Sequence, residues 1–271
     1  MKTQASVRYA ANCSLLFTEF PPLERAAAAK AAGFDAVEFW WPFADPVPDA
    51  ADVEAFVTSV EKAGVALVGL NFYAGDLAGP DCGVLSDPSR SAEFRGSVPI
   101  AVEIGLRLGT RAFNALYGNR VPGVPPDVQD ELATENLLFA AGKAAAIGSD
   151  VLIEPISGPK PYPLRRVTDV IAVLSRLHAA GAHNTTMLFD IYHLATNGED
   201  ISAAIAAYAD QIGHVQIADS PGRGEPGSGA LHISRYLREL RDAGYSGWFA
   251  MEYKPSGGNT AASLHWKGKL Q

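Results

Sequence analysis

The sequence contains little cysteine, no long apolar run and no excess of basic residues. Its two cysteines, Cys13 and Cys82, stand far apart in neither a CxxC nor a zinc-ribbon spacing, which excludes a disulfide scaffold and a thiolate metal site. No stretch approaches the roughly 20 apolar residues that cross a bilayer, and residues 1–17 lack the uninterrupted apolar core of a secretion signal. We therefore expect two reduced thiols, no membrane partner and a cytoplasmic location.

The charge balance excludes a further class of protein. Lysine and arginine number 22 against 30 aspartates and glutamates, which gives a formal net charge of −8. A protein that holds a phosphate backbone over a broad surface needs a basic excess, so we expect no nucleic-acid partner. An anionic small substrate remains compatible with this total, because a few arginines inside a cleft can dominate the local potential.

What the sequence does contain is a regular alternation of short apolar, β-prone runs with longer alanine-rich helical patterns. This alternation is typical of repeated βα units, and no change in composition marks a linker. The predicted strands are residues 7–12, 36–40, 65–71, 111–116, 150–154, 186–190, 214–218 and 247–252. We predict an α/β fold, a single (β/α)8 TIM barrel over residues 1–271. An open doubly wound sheet is the alternative, but residues 12–15 are not the glycine-rich phosphate turn that usually follows its first strand.

One connection in this pattern is unusually long. Residues 74–88 are rich in glycine, proline and aspartate, and they exceed an ordinary barrel loop. We predict that this segment forms a lid or a wall of the site.

Polar residues stand where four of the apolar runs end, and barrel enzymes carry their catalytic residues at that end of the strands. Glu154, Asp190 and Glu252 follow the runs of strands five, six and eight, and Gln216 lies within strand seven. Singly, each could be a helix cap or a surface residue. Together, three crowded carboxylates would repel one another without a cation. Because all four side chains offer oxygen, the set suits Mg²⁺ or Mn²⁺.

Two more residues are candidates for substrate binding. His193 follows Asp190 by one helical turn and could donate to a substrate oxygen, although a helix-entry histidine can also be satisfied by the backbone. Arg223 lies in a glycine- and proline-rich loop after strand seven and could grip a carboxylate bidentately, although exposed loop arginines are common. The sequence has no Gly-x-Ser-x-Gly elbow, P-loop or His-Glu-x-x-His, so no organic cofactor site is expected.

Several motifs resemble the hydroxypyruvate isomerase family within the xylose-isomerase-like barrels, and the resemblance covers nearly the whole chain. The motifs are residues 37–43 (VEFWWPF), 71–76 (NFYAGD), 153–155 (IEP), 189–193 (FDIYH), 213–219 (GHVQIAD), 223–227 (RGEPG) and 252–255 (EYKP). The resemblance implies that Glu154 and Glu252 transfer protons and share a metal with Asp190 and Gln216. Related ketose 3-epimerases have histidine at the position of Gln216, which disfavours free-sugar epimerisation. Members of the hydroxypyruvate isomerase family more often have arginine at the position of Cys82.

The resemblance implies an isomerase that interconverts hydroxypyruvate and tartronate semialdehyde. The carbonyl and adjacent hydroxyl of this small hydroxy-keto acid would chelate the metal, and the two glutamates would move protons through an enediolate. His193 would orient the hydroxyl and Arg223 would hold the carboxylate. The alternatives are a 2-oxo-tetronate isomerase or related sugar-acid or ketose isomerase-epimerase, a non-catalytic barrel that binds a sugar acid, and zinc-dependent hydrolysis of damaged DNA. The last needs several histidine ligands, and only His193 is suitably placed. Pairing into a homo-oligomer is left open.

Overall fold

The structure, a computed structural model, describes residues 7–270; residues 1–6 and 271, which the single-domain prediction also covers, lie outside the described residues. Eight parallel strands pair in chain order, and the eighth pairs with the first, so that the sheet closes into a barrel. The predicted (β/α)8 TIM barrel is confirmed. The strands are β1 (Tyr9–Asn12), β2 (Ala36–Phe39), β3 (Ala66–Asn71), β4 (Ala112–Asn114), β5 (Asp150–Ile153), β6 (Thr185–Asp190), β7 (Ile212–Ile217) and β8 (Phe249–Met251).

Helices alternate with the strands and surround the barrel. They are α1 (Arg25–Ala31), α2 (Ala50–Ala63), α3 (Ser91–Leu108), α4 (Pro126–Ala145), α5 (Val167–Ala179), α6 (Ile191–Thr196), α7 (Ile201–Tyr208), α8 (Ile233–Asp242) and α9 (Thr260–Ser263). Among residues 7–270, no helix combines the length and the apolar character needed to cross a membrane. Cys13 and Cys82 are free thiols, as expected.

Two helices differ from the sequence prediction for local reasons. The sequence pattern predicts helix α5 over residues 164–180, but the helix begins at Val167, because the Asp169 carboxylate accepts the backbone N–H groups of Arg165 and Arg166, each at 2.8 Å, and fixes the first turn. The single helix predicted between β6 and β7 is divided into α6 and α7. Gly198 has a φ of 84° after α6, a left-handed conformation that ends a helix and favours glycine.

The alternation of side chains along the strands explains how polar groups reach the inside of the barrel. Val151 and Ile153 of β5 join the main core beneath the helices, whereas Leu152 packs with Ala112 and Leu188 in a separate small cluster. Successive side chains on a strand point to opposite faces, so Glu154 faces the interior like Leu152. The equivalent residue of each strand is polar and buried; we call this set the polar ring. Its members are Asn12, Glu38, Asn71, Asn114, Glu154, Asp190, Gln216 and Glu252.

The long segment 74–88, which we call the wall segment, packs against the carboxyl end of β4 and lines the cavity. Its backbone is tied down there, because Gly118 donates to the Cys82 carbonyl at 3.0 Å and Ser86 donates to the Tyr117 carbonyl at 3.1 Å. Gly83 has a φ of 100°, and a Cβ at this position would lie 2.1 Å from the Leu116 carbonyl oxygen. The approach therefore requires glycine, and the segment is a fixed wall of the site.

Candidate active site

Three of the four predicted metal ligands meet above the barrel. Glu154, Asp190 and Glu252 each place a carboxylate oxygen in one small space with a ring nitrogen of His193, and these four atoms lie within 4.8 Å of one another. All four residues are buried. Glu154 and Glu252 immediately follow β5 and β8, and Asp190 is the last residue of β6. The closed barrel thus brings together residues that are nearly 100 positions apart in the sequence.

Gln216, the fourth predicted ligand, pairs with Asp190 in the register of β6 and β7. Its Nε2 donates to Glu38 Oε1 at 2.7 Å. A carboxylate accepts hydrogen bonds and does not donate them, so Glu38 fixes which end of the Gln216 amide is the NH2 group. The other end, Oε1, is buried and has no hydrogen-bond partner within the described part of the chain. A buried oxygen without a partner is costly, and a cation is one partner that would satisfy it.

The two glutamates are held by neutral donors from neighbouring strands. Asn114 Nδ2 donates to Glu154 Oε2 at 2.7 Å. Glu252 Oε1 accepts from Trp40 Nε1 at 2.6 Å and from Asn12 Nδ2 at 3.1 Å. Each carboxylate is therefore held by its own set of donors, so that the two can act as separate proton-transfer groups.

The carboxylates carry more negative charge than their surroundings balance. Burial, together with repulsion by Glu252 and Asp190, raises the pKa of Glu154 well above its usual range. Burial also raises the pKa of Glu252, although the charge of Arg223 opposes the rise. With all three carboxylates ionised, one guanidinium would leave two negative charges unbalanced, and a divalent cation would balance them. The charge, the oxygen donors and the unpartnered Gln216 oxygen therefore fit Mg²⁺ or Mn²⁺.

His193 is placed to donate into the cavity. The Ser157 backbone N–H donates to His193 Nδ1 at 3.1 Å, so the ring proton of the neutral side chain is on Nε2. Burial lowers the pKa of His193 to about 4, against the opposing effect of Asp190, and the ring is neutral near pH 7. Nε2 lies 3.7 Å from Asp190 and 4.0 Å from Glu154. A protonated Nε2 is a hydrogen-bond donor and not a metal ligand.

Arg223 lies on the loop after β7, where the Asp219 carboxylate holds the turn by accepting backbone N–H groups of Ser220, Gly227 and Leu231. Its Nη2 contacts Glu252 and lies 3.9 Å from Asp190. Burial alone would lower the pKa of Arg223, but the neighbouring carboxylates raise it. The structure therefore places Arg223 against the carboxylates themselves rather than in a free position on the loop.

Sequence reasoning missed the second half of the polar ring. Glu38 lies beneath the cluster; its Oε1 accepts from Asn12 Nδ2 and Gln216 Nε2, each at 2.7 Å, and its Oε2 lies 2.7 Å from His214 Nε2. Asn12 is the last residue of β1, so the strand-end criterion that identified Glu154 would also have found it, whereas Glu38 lies inside the apolar run of β2. Their role is to position the groups above.

The cluster opens into a cavity of about 180 Å³. Trp40, Leu77, Cys82 and Lys160 line it beside Glu154 and Glu252. The wall segment contributes Leu77 and Cys82. Two other cations close to strand ends do not line this cavity: Arg165 donates to the Gly158 carbonyl and to Asn197, and Lys254 is exposed.

Comparison with known proteins agrees with this geometry. A family model described as xylose isomerase-like TIM barrel matches residues 26–269. The chain belongs to this family. A relative from Streptomyces coelicolor named putative hydroxypyruvate isomerase is 50% identical over 267 residues, which cover 97% of this chain and 96% of the relative. A 2-oxo-tetronate isomerase from Cupriavidus necator is 36% identical, with 96% of each chain covered.

A solved structure has the same architecture. The solved protein comes from Brucella melitensis and is described as an AP endonuclease of family 2. It superimposes with a TM-score of 0.87 at 30% identity, and the superposition covers 98% of this chain and 100% of the solved chain. The resemblance to hydroxypyruvate isomerases found in the motifs is confirmed by the relatives, and with it the assignment of the chain to the isomerases.

Proposed function

We propose that this chain interconverts hydroxypyruvate and tartronate semialdehyde. The observation that carries the proposal is the pair of buried glutamates, Glu154 and Glu252, which are held by separate donors and line the same small cavity. An isomerisation of this kind removes a proton from one carbon and adds a proton to its neighbour, so it needs an acid-base group at each carbon. Burial raises the pKa of both glutamates in the metal-free cluster, and a cation bound beside them would favour the ionised form in which a carboxylate acts as a base.

Glu154, Asp190, Gln216 and Glu252 would hold a divalent metal, Mg²⁺ or Mn²⁺. When bound, the metal supplies positive charge next to the substrate oxygens on which negative charge develops. The support for this set is the excess negative charge of the cluster and the unpartnered Gln216 Oε1. Glu38 holds the Gln216 amide so that this oxygen, rather than the NH2 group, is available.

The two glutamates move the carbon-bound proton of the substrate in two steps. One glutamate takes a proton from the hydroxyl-bearing carbon of hydroxypyruvate, which leaves an enediolate, and the other glutamate gives a proton to the former carbonyl carbon. The hydroxyl proton passes to the former carbonyl oxygen, so that an aldehyde and a new hydroxyl result. His193 donates its Nε2–H to a substrate oxygen and orients it, and Arg223, beside Glu252, binds the substrate from the other side.

A 2-oxo-tetronate is the second candidate substrate, because the relative from Cupriavidus necator is named for it. The same site would also serve a related sugar-acid or ketose isomerase-epimerase. Hydrolysis of DNA is disfavoured: among residues 7–270 the carboxylate cluster contains one histidine, whose Nε2 carries a proton, whereas a zinc cluster needs several imidazole ligands. The net charge of −8 also opposes binding to a phosphate backbone.

A proton-NMR time course in D2O tests the proposal. The purified protein is incubated with hydroxypyruvate and, separately, with a 2-oxo-tetronate, each with Mg²⁺ and with EDTA. We expect a new aldehyde signal and deuterium next to the carbonyl in the Mg²⁺ samples and a much lower rate with EDTA. No change in either acid would contradict the proposal and would favour a non-catalytic barrel that binds sugar acids.

A further inference from the structure

The cavity has a charged end that the proton transfers leave without a role. Lys160 lies on the loop between β5 and α5 and lines the cavity from the side of the wall segment, whereas Arg223 lines it beside Glu252. Its Nζ reaches across to the wall segment and donates to the Asp81 carbonyl at 2.7 Å. The Asp81 carboxylate is itself engaged by Arg90 at 2.8 Å and by the Asp76 N–H at 2.8 Å. No carboxylate of residues 7–270 forms an ion pair with Lys160, so its charge is unbalanced.

The backbone holds Lys160 in this position. Pro159 and Pro161 flank it and restrict the backbone on both sides. The Tyr162 N–H donates to the Lys160 carbonyl at 2.8 Å, and the Arg120 N–H donates to the Pro161 carbonyl at 2.8 Å. A cation that is already fixed toward a cavity loses less conformational freedom when it binds an anion.

The neighbouring wall is neutral. Cys82 lies beside Lys160, and burial raises the pKa of its thiol although the Lys160 charge opposes the rise, so it carries no charge near pH 7. Position 82 is also where the motif comparison expects arginine. The cation at this end of the cavity therefore comes from the other loop.

The end of the cavity beside Arg223 is better suited to the reacting carbons of the substrate than to its carboxylate. Arg223 already contacts Glu252 and lies 3.9 Å from Asp190. A substrate carboxylate at Arg223 would be brought beside these two carboxylates and would be repelled by them. Lys160 contacts a neutral thiol and a backbone carbonyl, and it forms no ion pair with a carboxylate of residues 7–270.

We infer that Lys160 binds the carboxylate of the substrate and thereby selects hydroxy-keto acids over uncharged ketoses. The inference rests on the proposed function and refines it: Lys160 takes the carboxylate, the role that the family resemblance implies for Arg223, and Arg223 binds the reacting end. A three- or four-carbon acid would span the cavity, with its carboxylate at the wall segment and its carbonyl and hydroxyl at the glutamates.

Steady-state kinetics with hydroxypyruvate and Mg²⁺ test the inference. A charged hydrogen bond that is equal in the ground and transition states acts on KM, so Lys160→Met should raise KM about 10- to 100-fold while kcat stays within about threefold. Lys160→Arg should keep most of the affinity. The decisive variant is Lys160→Met combined with Cys82→Arg. It returns a cation to the same end of the cavity from the wall segment and should lower KM most of the way back to the wild-type value. Lys62→Met, an exposed change on α2 with the same loss of charge, is the matched control.

The outcomes separate the two claims. A Lys160→Met enzyme whose KM stays within about twofold of the wild-type value would overturn the role of Lys160 and leave the proposed reaction standing. A fall in kcat with an unchanged KM would overturn it as well, because a carboxylate anchor acts on binding. A wild-type enzyme that converts neither acid would overturn both the inference and the proposed function.

Discussion

Replacing Glu38 by leucine should weaken metal binding, although Glu38 is not one of the four proposed ligands. In the structure its carboxylate accepts from Gln216 Nε2 and Asn12 Nδ2 and lies 2.7 Å from His214 Nε2. Leucine fills a similar volume but accepts no hydrogen bond, so the Gln216 amide would lose the contact that fixes its orientation. Its NH2 group could then turn toward the cluster in place of Oε1.

The expected magnitudes follow from these contacts. Loss of a group that orients a metal ligand typically lowers metal affinity about 10- to 100-fold. Each buried donor left unpaired also costs about 1–3 kcal/mol of folding stability. Asn12 keeps its contact with Glu252, so the loss falls mainly on Gln216 and His214. Titration with Mn²⁺, followed by the electron paramagnetic resonance of the free ion, measures the affinity, and a thermal melt measures the stability.

Glu38→Gln is the matched control. Its amide oxygen can still accept from Asn12 and Gln216, and its NH2 group can donate to His214, whose ring can accept in the other tautomer. We expect its Mn²⁺ affinity to stay within about threefold of the wild-type value. A folded Glu38→Leu protein that binds Mn²⁺ as tightly as the wild type would refute the positioning role of Glu38.

Three further predictions concern other parts of the site. In EDTA the melting temperature should fall as the pH rises from about 5 to about 8. The folded-state pKa values of Glu154 and Glu252 are raised, so these groups keep protons that the unfolded chain has already released, and their contribution to stability is lost through this window. Mg²⁺ should therefore raise the melting temperature more at pH 8 than at pH 6, and an equal rise would count against the cluster. His193→Leu should lower kcat about 10- to 100-fold with unchanged Mn²⁺ affinity, since its Nε2–H is a donor; a large loss of affinity would make it a ligand. Gly83→Ala should destabilise the fold by about 2 kcal/mol or more in a denaturant titration, because a Cβ there meets the Leu116 carbonyl; an unchanged midpoint would show that the wall segment can move away.

The barrel could be predicted because each strand run and each helical pattern carries its own periodicity. The positions of Glu154, Asp190 and Glu252 at strand ends were sufficient to predict that they meet, since the barrel topology brings all strand ends to one rim. Element bounds were less accurate where a side chain decides them, as Asp169 does for α5.

The contacts beneath and around the cluster could not be predicted from spacing. That Glu38 supports Gln216 depends on the register of strands that are far apart in sequence, and that Lys160 meets the wall segment depends on the path of two long loops. The contact of Arg223 with Glu252 could not be predicted either, because it follows from the turn that Asp219 holds.

The most direct test of the central claim is deuterium exchange by the Glu154→Gln and Glu252→Gln enzymes, measured by proton NMR with hydroxypyruvate and Mg²⁺ in D2O. If these glutamates are the proton-transfer pair, each variant should remain folded and lose turnover by about 10²- to 10⁴-fold. The variant that lacks the base for hydroxypyruvate should also stop exchanging the hydrogens on its hydroxyl-bearing carbon, whereas the other should continue this exchange without forming the aldehyde. Turnover near the wild-type rate in either variant would contradict the account.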